Sequence, residues 1–302
     1  MKIDGKKLDA ILRDKKMRRS DLSSLAGISS RTLAKISKGQ DIRESVTERI
    51  AAALGAQRKE LLRENRILRV LEEEMRLKLS GGLYHETQVR LTYNSNHIEG
   101  SRLTEEQTRY IFETSTLGDL PSDLPLDDIL ETNNHFRCVE EVIRRAEEPL
   151  TEDFILALHG KLKEGTNFAA KYGAGEYKKL PNTVGGIETT PPSEVRQEMR
   201  ALLAEYAPQR SADFEEIVAF HYRFECIHPF QDGNGRIGRL LMFKECLKNG
   251  LVPFYIDDKY KFEYYNGLKQ WRSERGFLLE TCRLGQDVYK RLLDYFKISY
   301  ED

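Results

Sequence analysis

The sequence predicts an all-α fold carrying one short β-hairpin, preceded by a small N-terminal helical bundle. Three observations predict it. Apolar residues recur at helical spacing through most of the 302 residues. One segment, 173–192, breaks that spacing. Gly173, Gly175, Pro181, Gly185, Gly186, Pro191 and Pro192 punctuate it, with Tyr177, Val184, Ile187 and Thr189 between, and this composition favours a hairpin over a helix. Charge then divides the chain. Residues 1–60 hold 15 Lys or Arg against 8 Asp or Glu, a net of +7, whereas the whole chain is −1, which leaves −8 for residues 61–302.

Taken in order, residues 1–56 form the basic module. Ser20 reads as a helix N-cap, Leu22 and Leu25 as core, Gly27 as a tight turn, and Ser29 as the cap of a second helix with Leu33 and Ile36 inward. Residues 57–80 read as a linker helix, with Leu61, Leu62, Ile67, Leu68, Leu71 and Met75 on one side. Residues 81–302 form the body. Thr104 and Gln107 make a capping-box pattern, Pro121 and Pro125 mark 119–128 as a loop, and helices follow over 133–146 and 151–164, the latter opened by Thr151. Phe214, Ile217, Val218, Phe220, Phe224 and Ile227 give a further helix with a broad apolar side.

The stretch 228–239 concentrates chemistry: His228, Phe230, Asp232, Gly233, Asn234, Gly235, Arg236 and Arg239 fall within twelve residues. Ile237, Leu240, Leu241 and Leu247 follow at helical spacing, so the glycine turn opens a helix whose free N–H groups favour phosphate. Arg236 and Arg239, three apart, share a face and suit phosphate oxygens. Asp232 suits a hard cation such as Mg²⁺, and His228 a proton from an attacking hydroxyl. Taken singly each is equally a turn, a structural histidine or a solvated helix face.

In this order they match every fixed position of His-x-Phe-x-(Asp/Glu)-Gly-Asn-Gly-Arg-x-x-Arg, the signature of Fic domain proteins, which the chain resembles. The resemblance implies a helical core that moves AMP from ATP to a Ser, Thr or Tyr hydroxyl of a target protein. It implies His228 as the base, Phe230 as a buried anchor, Asp232 as the Mg²⁺ ligand, Gly233, Asn234 and Gly235 as the anion hole, and Arg236 and Arg239 as contacts to the outer phosphates. It also implies a flap at about 173–192 that receives the target by strand addition, although many relatives carry Arg where Lys178 stands. In the helix over 259–271, Tyr264 or Tyr265 is expected to stack on adenine. Ser95, Glu99 and Gly100 match (Ser/Thr)-x-x-x-Glu-(Gly/Asn), the inhibitory motif of the same family. That resemblance implies an inhibitory helix over about 85–100, with Glu99 pairing with Arg239 in place of the γ-phosphate, and in some relatives a glutamate that also serves AMP removal.

The N-terminal module resembles the Cro and phage-repressor helix-turn-helix family, five helices over about 55 residues closed by Ala53, Leu54 and Gly55. The resemblance implies that Ser30, Arg31, Thr32 and Lys35 face the major groove, with Lys38 and Arg43 on phosphates. A homo-oligomer on a two-fold site is expected; such modules also serve protein contacts. No apolar run approaches the ~18 residues of a membrane span, and the start lacks a signal peptide's apolar segment. Cys138, Cys226, Cys246 and Cys282 show no pairing or ligand spacing and read as reduced core thiols. The expectation is a cytoplasmic protein with no membrane partner, ATP as substrate and Mg²⁺ arriving with it. Two functions stand: an autoinhibited protein adenylyltransferase with a DNA-binding module, or a DNA-binding regulator whose body senses nucleotide.

Overall fold

The computed structural model describes residues 3–300 apart from 41, 62–64, 117, 119–123, 185–186 and 207–211, with backbone alone at 59 and 187. The expectations naming Leu62, Pro121, Gly185 and Gly186 lie outside the described residues. The chain divides into a unit ending at Asn65 and a larger one beginning at Arg66.

The first unit contains α1 (Gly5–Asp14), α2 (Arg19–Ala26), α3 (Ser30–Ser37), α4 (Glu44–Leu54) and α5 (Arg58–Leu61). Its core is Leu8, Leu12, Leu22, Ala26, Ile28, Ile36, Ile42, Ile50, Leu54 and Leu61. Gly27 ends α2 in the left-handed region (φ +60°), and Ser29 caps α3 by accepting from the Thr32 N–H at 3.2 Å. Two expectations fail here. The N-cap of α2 is Arg18, whose N–H donates to Asp21 Oδ2 at 2.9 Å, so Ser20 lies inside the first turn. Leu25 is 64% exposed because the inward pair is Leu22 and Ala26, one helical turn apart, which turns Leu25 off the buried side.

The linker is not one helix. α5 ends at Leu61 and α6 (Arg66–Leu77) starts afresh. Leu61 packs in the first core and its carbonyl accepts from the Asp4 N–H at 2.9 Å, whereas Ile67, Leu68 and Leu71 belong to the larger core. Each unit claims its own half of the apolar stripe.

In the larger unit, α7 (Leu83–Ile98), α8 (Glu105–Thr114), α9 (Leu126–Arg144) and α10 (Glu152–Lys163) precede α11 (Asn167–Tyr172) and the hairpin β1 (Thr183–Val184) and β2 (Ile187–Glu188). The strands are antiparallel, with Thr183 opposite Glu188 and Val184 opposite Ile187. Then come α12 (Val195–Tyr206), α13 (Phe214–Ile227), α14 (Asn234–Lys248), a 3₁₀ turn (Asp258–Tyr260), α15 (Lys261–Gln270) and α16 (Gly276–Tyr295). α9 begins directly after Pro125, at Leu126, so the expected loop is shorter than 119–128. Proline suits that place because a helix start needs no N–H from it. Thr104 with Gln107, and Thr151, cap α8 and α10 as expected.

α14 is the axis of this unit. Every residue from Arg236 to Leu247 is buried, four of them charged, as α13, α9, α7 and α10 pack around it. Of the cysteines, Cys226 is exposed rather than in the core. No described helix is long and apolar enough to cross a membrane.

Candidate functional site

The junction of α13 and α14 forms the floor of the site. His228 ends α13 in the left-handed region (φ +51°, ψ 62°), its N–H donating to the Phe224 carbonyl at 2.9 Å. A side chain in that region is strained by on the order of 1 kcal/mol or more. Pro229 stops the helix from continuing. Phe230 is fully buried and stacks on His159, with ring centroids 3.9 Å apart and planes at 2°. Asn234 closes the loop: its Oδ1 accepts from the Phe230 N–H at 2.8 Å and its Nδ2 donates to the Phe230 carbonyl at 2.9 Å. The Asn234 side chain is thereby tied to the loop backbone through both its oxygen and its nitrogen.

Gly233, at φ +84°, turns the chain into α14. A Cβ there would meet Lys163 at 3.2 Å, a second reason for glycine. The first intrahelical bond runs from the Ile237 N–H to the Gly233 carbonyl at 3.0 Å. The N–H groups of Asn234, Gly235 and Arg236 therefore point out of the positive end of the helix with no intrahelical acceptor.

That end already holds a carboxylate. Glu99, at the C-cap of α7, accepts from Arg239 Nη2 at 2.7 Å, and its Oε1 lies so close to Gly235 that a Cβ would collide with it. Arg239 also donates to the Ser95 carbonyl at 2.8 Å and, through Nε, to Ser95 Oγ at 3.1 Å. Its side chain is 2% exposed and its Nη1 has no hydrogen-bond partner among the described residues. Gly100, at φ +98°, turns the chain away just after Glu99.

A second charged cluster lies beside it. Arg236 pairs with Glu131 and with Asp232, the latter at 3.3 Å. Lys163, wholly buried, bridges Glu131 and Asp232. Burial works to raise the Asp232 pKa, but Arg236 and Lys163 hold it down to about 2. His159 receives the Gly175 N–H on Nδ1 at 2.9 Å, so its Nε2 carries the proton and donates to the Asp232 carbonyl at 3.1 Å. Burial pushes its pKa down to about 3, which keeps it neutral.

The flap is tied to the same loop. Lys178 donates from its backbone to the Pro229 carbonyl at 2.8 Å, and from Nζ to Asn182 at 2.7 Å, Thr189 at 2.6 Å and the Ile227 carbonyl at 3.3 Å. Burial lowers its pKa to about 8. Asn182 Nδ2 donates to the Phe230 carbonyl at 3.0 Å. The hairpin therefore starts from the rim of the loop between α13 and α14.

The structure brings Ser95, Glu99, Gly235 and Arg239 into direct contact, with Asp232 and Arg236 beside them. It treats the two tyrosines differently. Tyr264 is buried, its hydroxyl 2.7 Å from His221 Nε2 and its ring 5.7 Å from the Arg239 guanidinium. A ring so placed props Arg239 and has no open face for a base, so the stacking expected of Tyr264 is not met. Tyr265 is 37% exposed, its hydroxyl 3.4 Å from the Ile98 carbonyl, at the end of α7 beside Glu99. In the other unit, Ser30, Arg31 and Lys35 are exposed on α3, while Thr32 is half-buried with its hydroxyl 3.0 Å from Ser29 Oγ.

Four residues of the site were not anticipated: Glu131, Lys163, His159 and Glu225. Glu225 stands three before His228 on α13, so its spacing was visible. Glu131 and Lys163 come from α9 and α10 and carry no local signal.

Residues 149–246 match the Fic/DOC family, and residues 7–64 match the Cro/C1-type HTH DNA-binding domain. The chain is 30% identical over 210 residues to a protein adenylyltransferase Fic of Nematostella vectensis, covering 68% of this chain and 48% of that protein. It is 28% identical over 211 residues to a probable protein adenylyltransferase of Aquifex aeolicus, covering 65% of this chain and 62% of that one. The chain thus spans less than two thirds of either relative. Among solved structures, a Fic domain containing signaling protein from Bacteroides thetaiotaomicron superposes with a TM-score of 0.61 at 25% identity, over 79% of this chain and all of that one. Fic-1 from C. elegans superposes with a TM-score of 0.59 at 19% identity, over 91% and 81%.

Proposed function

We propose, from the match of residues 149–246 to the Fic/DOC family and of residues 7–64 to the Cro/C1-type HTH DNA-binding domain, that this chain is an autoinhibited protein adenylyltransferase with a DNA-binding module. The observation that carries the reading is the Glu99 carboxylate lodged against Gly235 at the N-terminus of α14 and bonded to Arg239 at 2.7 Å. A position that suits an anion holds one supplied by the chain itself.

In the proposed reaction ATP phosphates take the N–H groups of α14, with Arg236 and Arg239 on the outer phosphates. The flap aligns a target hydroxyl by strand addition. Its oxygen attacks the α-phosphorus, the bond from that phosphorus to the bridging oxygen breaks, pyrophosphate leaves, and His228 takes the hydroxyl proton. While Glu99 holds Arg239, the γ-phosphate lacks its clamp and the α-phosphorus is misaligned.

Mg²⁺ fits Asp232, an ionised carboxylate that is 48% exposed beside the helix N-terminus. Among the described residues no group of three or more His, Cys, Asp or Glu could hold a metal ion, so Asp232 is the ligand proposed for Mg²⁺ arriving with ATP. When bound, it supplies charge neutralisation between phosphates.

Arg31 and Lys35 on α3 support the DNA reading, and one small module implies a homo-oligomer on a two-fold site. The test of the transferase is ATP labelled at the α- or the γ-phosphate, incubated with Mg²⁺ and the Glu99→Gly chain. Protein-bound α-label without γ-label is expected. Label from the γ-phosphate makes it a phosphate transferase, and no label from either leaves a nucleotide-sensing regulator.

A further inference from the structure

Behind His228 three buried polar atoms lie near one another, and none has a hydrogen-bond partner among the described residues: His228 Nδ1, Glu225 Oε1 and His221 Nδ1. The Glu225 carboxylate sits between the two rings, with Oε2 3.6 Å from His228 Nδ1 and Oε1 4.0 Å from His221 Nδ1. Burial works to raise the Glu225 pKa, yet the two imidazoles and Arg239 hold it below the usual carboxylate range, so the group stays ionised. α14 closes over the cluster at Gly238, where a Cβ would fall 2.6 Å from Glu225 Oε1 and 2.7 Å from His221 Cε1. That leaves no room for a side chain above the carboxylate.

An ionised carboxylate can only accept, so both rings must turn an N–H toward it. For His221 the Tyr264 hydroxyl, 2.7 Å from Nε2, supplies the complement: its O–H donates to Nε2, and the imidazole proton sits on Nδ1 facing Glu225. The same carboxylate selects the Nδ1–H form of His228. Nε2 then keeps its lone pair on the open side of the ring.

We propose that Glu225 is the positioning residue of the His228 base: it fixes the Nδ1–H tautomer and stabilises the imidazolium that forms on Nε2. The proposal rests on the transferase reading above. In that step the hydroxyl proton moves to His228 Nε2 as the new oxygen–phosphorus bond forms and the bond to pyrophosphate breaks. Glu225 stays ionised throughout, and the proton later leaves from Nε2 to water.

The test uses the full chain labelled with ¹⁵N-histidine, which has six histidines. Ring-nitrogen spectra at pH 8 identify the protonated nitrogen of each, and His228→Ala assigns the signal of interest. Wild-type His228 is expected to be protonated on Nδ1, and Glu225→Gln to populate both tautomers, because an amide both donates and accepts. Protonation on Nε2 in the wild type, or an unchanged tautomer ratio in Glu225→Gln, overturns the proposal. Should the isosteric variant fail to fold, the wild-type spectrum still decides. In the Glu99→Gly background, Glu225→Gln is expected to lower kcat on the order of 10²-fold with KM for ATP within about twofold, and Glu225→Asp to recover part of the loss. An unchanged kcat also overturns it. If the Glu99→Gly chain transfers nothing, the transferase reading has failed, while the spectra still report whether Glu225 orients His228.

Discussion

On α3 of the N-terminal unit Arg31 and Lys35 stand exposed and make no ion pair among the described residues, whereas on α14 of the larger unit Arg236 and Arg239 are buried and each already holds a carboxylate of its own chain. The difference follows from solvation. An exposed cation keeps its water and counterions, and a polyanion such as DNA binds it by exchanging them, so the surface is ready as it stands. A buried guanidinium cannot be left unpaired without a penalty of several kcal/mol. The larger unit therefore supplies Glu131, Asp232 and Glu99 as internal partners. On the proposed function, a nucleotide would have to take over contacts that the fold already satisfies, and the charges that keep the arginines paired would restrain the reaction.

Four experiments break or sharpen this contrast. Acid has the largest expected effect, and it separates the two units because residues 1–65 contain no histidine. Burial depresses His135 and His159 to about 3 and His221 to about 4, below the roughly 6.5 of an unfolded chain. Such groups contribute stability that is fully present above that unfolded value and is lost as pH falls toward the folded ones. Unfolding of the larger unit should therefore take up about three protons near pH 5, a slope of roughly 4 kcal/mol per pH unit. Calorimetry between pH 7 and 5 checks this. An equal shift in both units would show that the buried imidazoles are not the cause.

Next, His228→Ala in the Glu99→Gly background should lower α-label transfer by on the order of 10³-fold, with ATP affinity by calorimetry nearly unchanged. Retained transfer means that another group is the base. Glu99→Gly alone should raise transfer by about 100-fold, because it frees Arg239 and realigns the α-phosphate. Unchanged labelling would remove self-occupation from the contrast. The smallest effect is expected at the exposed surface. Arg31→Ala with Lys35→Ala should weaken specific DNA binding by roughly 10-fold or more in a gel-shift titration at fixed salt. A wild-type chain that shifts no DNA would make that face a protein-docking surface.

Much of the site was legible because its parts are contiguous. His228, the glycine turn and the two arginines lie within twelve residues, and the Glu99 motif, though distant, has its own short pattern. Residue type places Leu25 in the core and leaves Tyr264 and Tyr265 equivalent, yet Leu25 is exposed and Tyr264, unlike Tyr265, is buried under Arg239. Ser20 fits a cap by type, but Asp21 closes the helix start from one residue further on. The stripe over 58–79 has one helical period, but two cores divide it.

By itself the sequence determined the helical class, the hairpin, the division of charge and the chemistry available at 228–239, because these depend on residues near one another in the chain. Only the tertiary structure decided how that chemistry is held. Glu131 and Lys163 reach the loop from α9 and α10, His159 pins the loop to the start of the flap, and Glu225 gains its role only when α14 closes over it at Gly238. A buried charge takes its partners from whatever the packing brings alongside, and no local spacing encodes that.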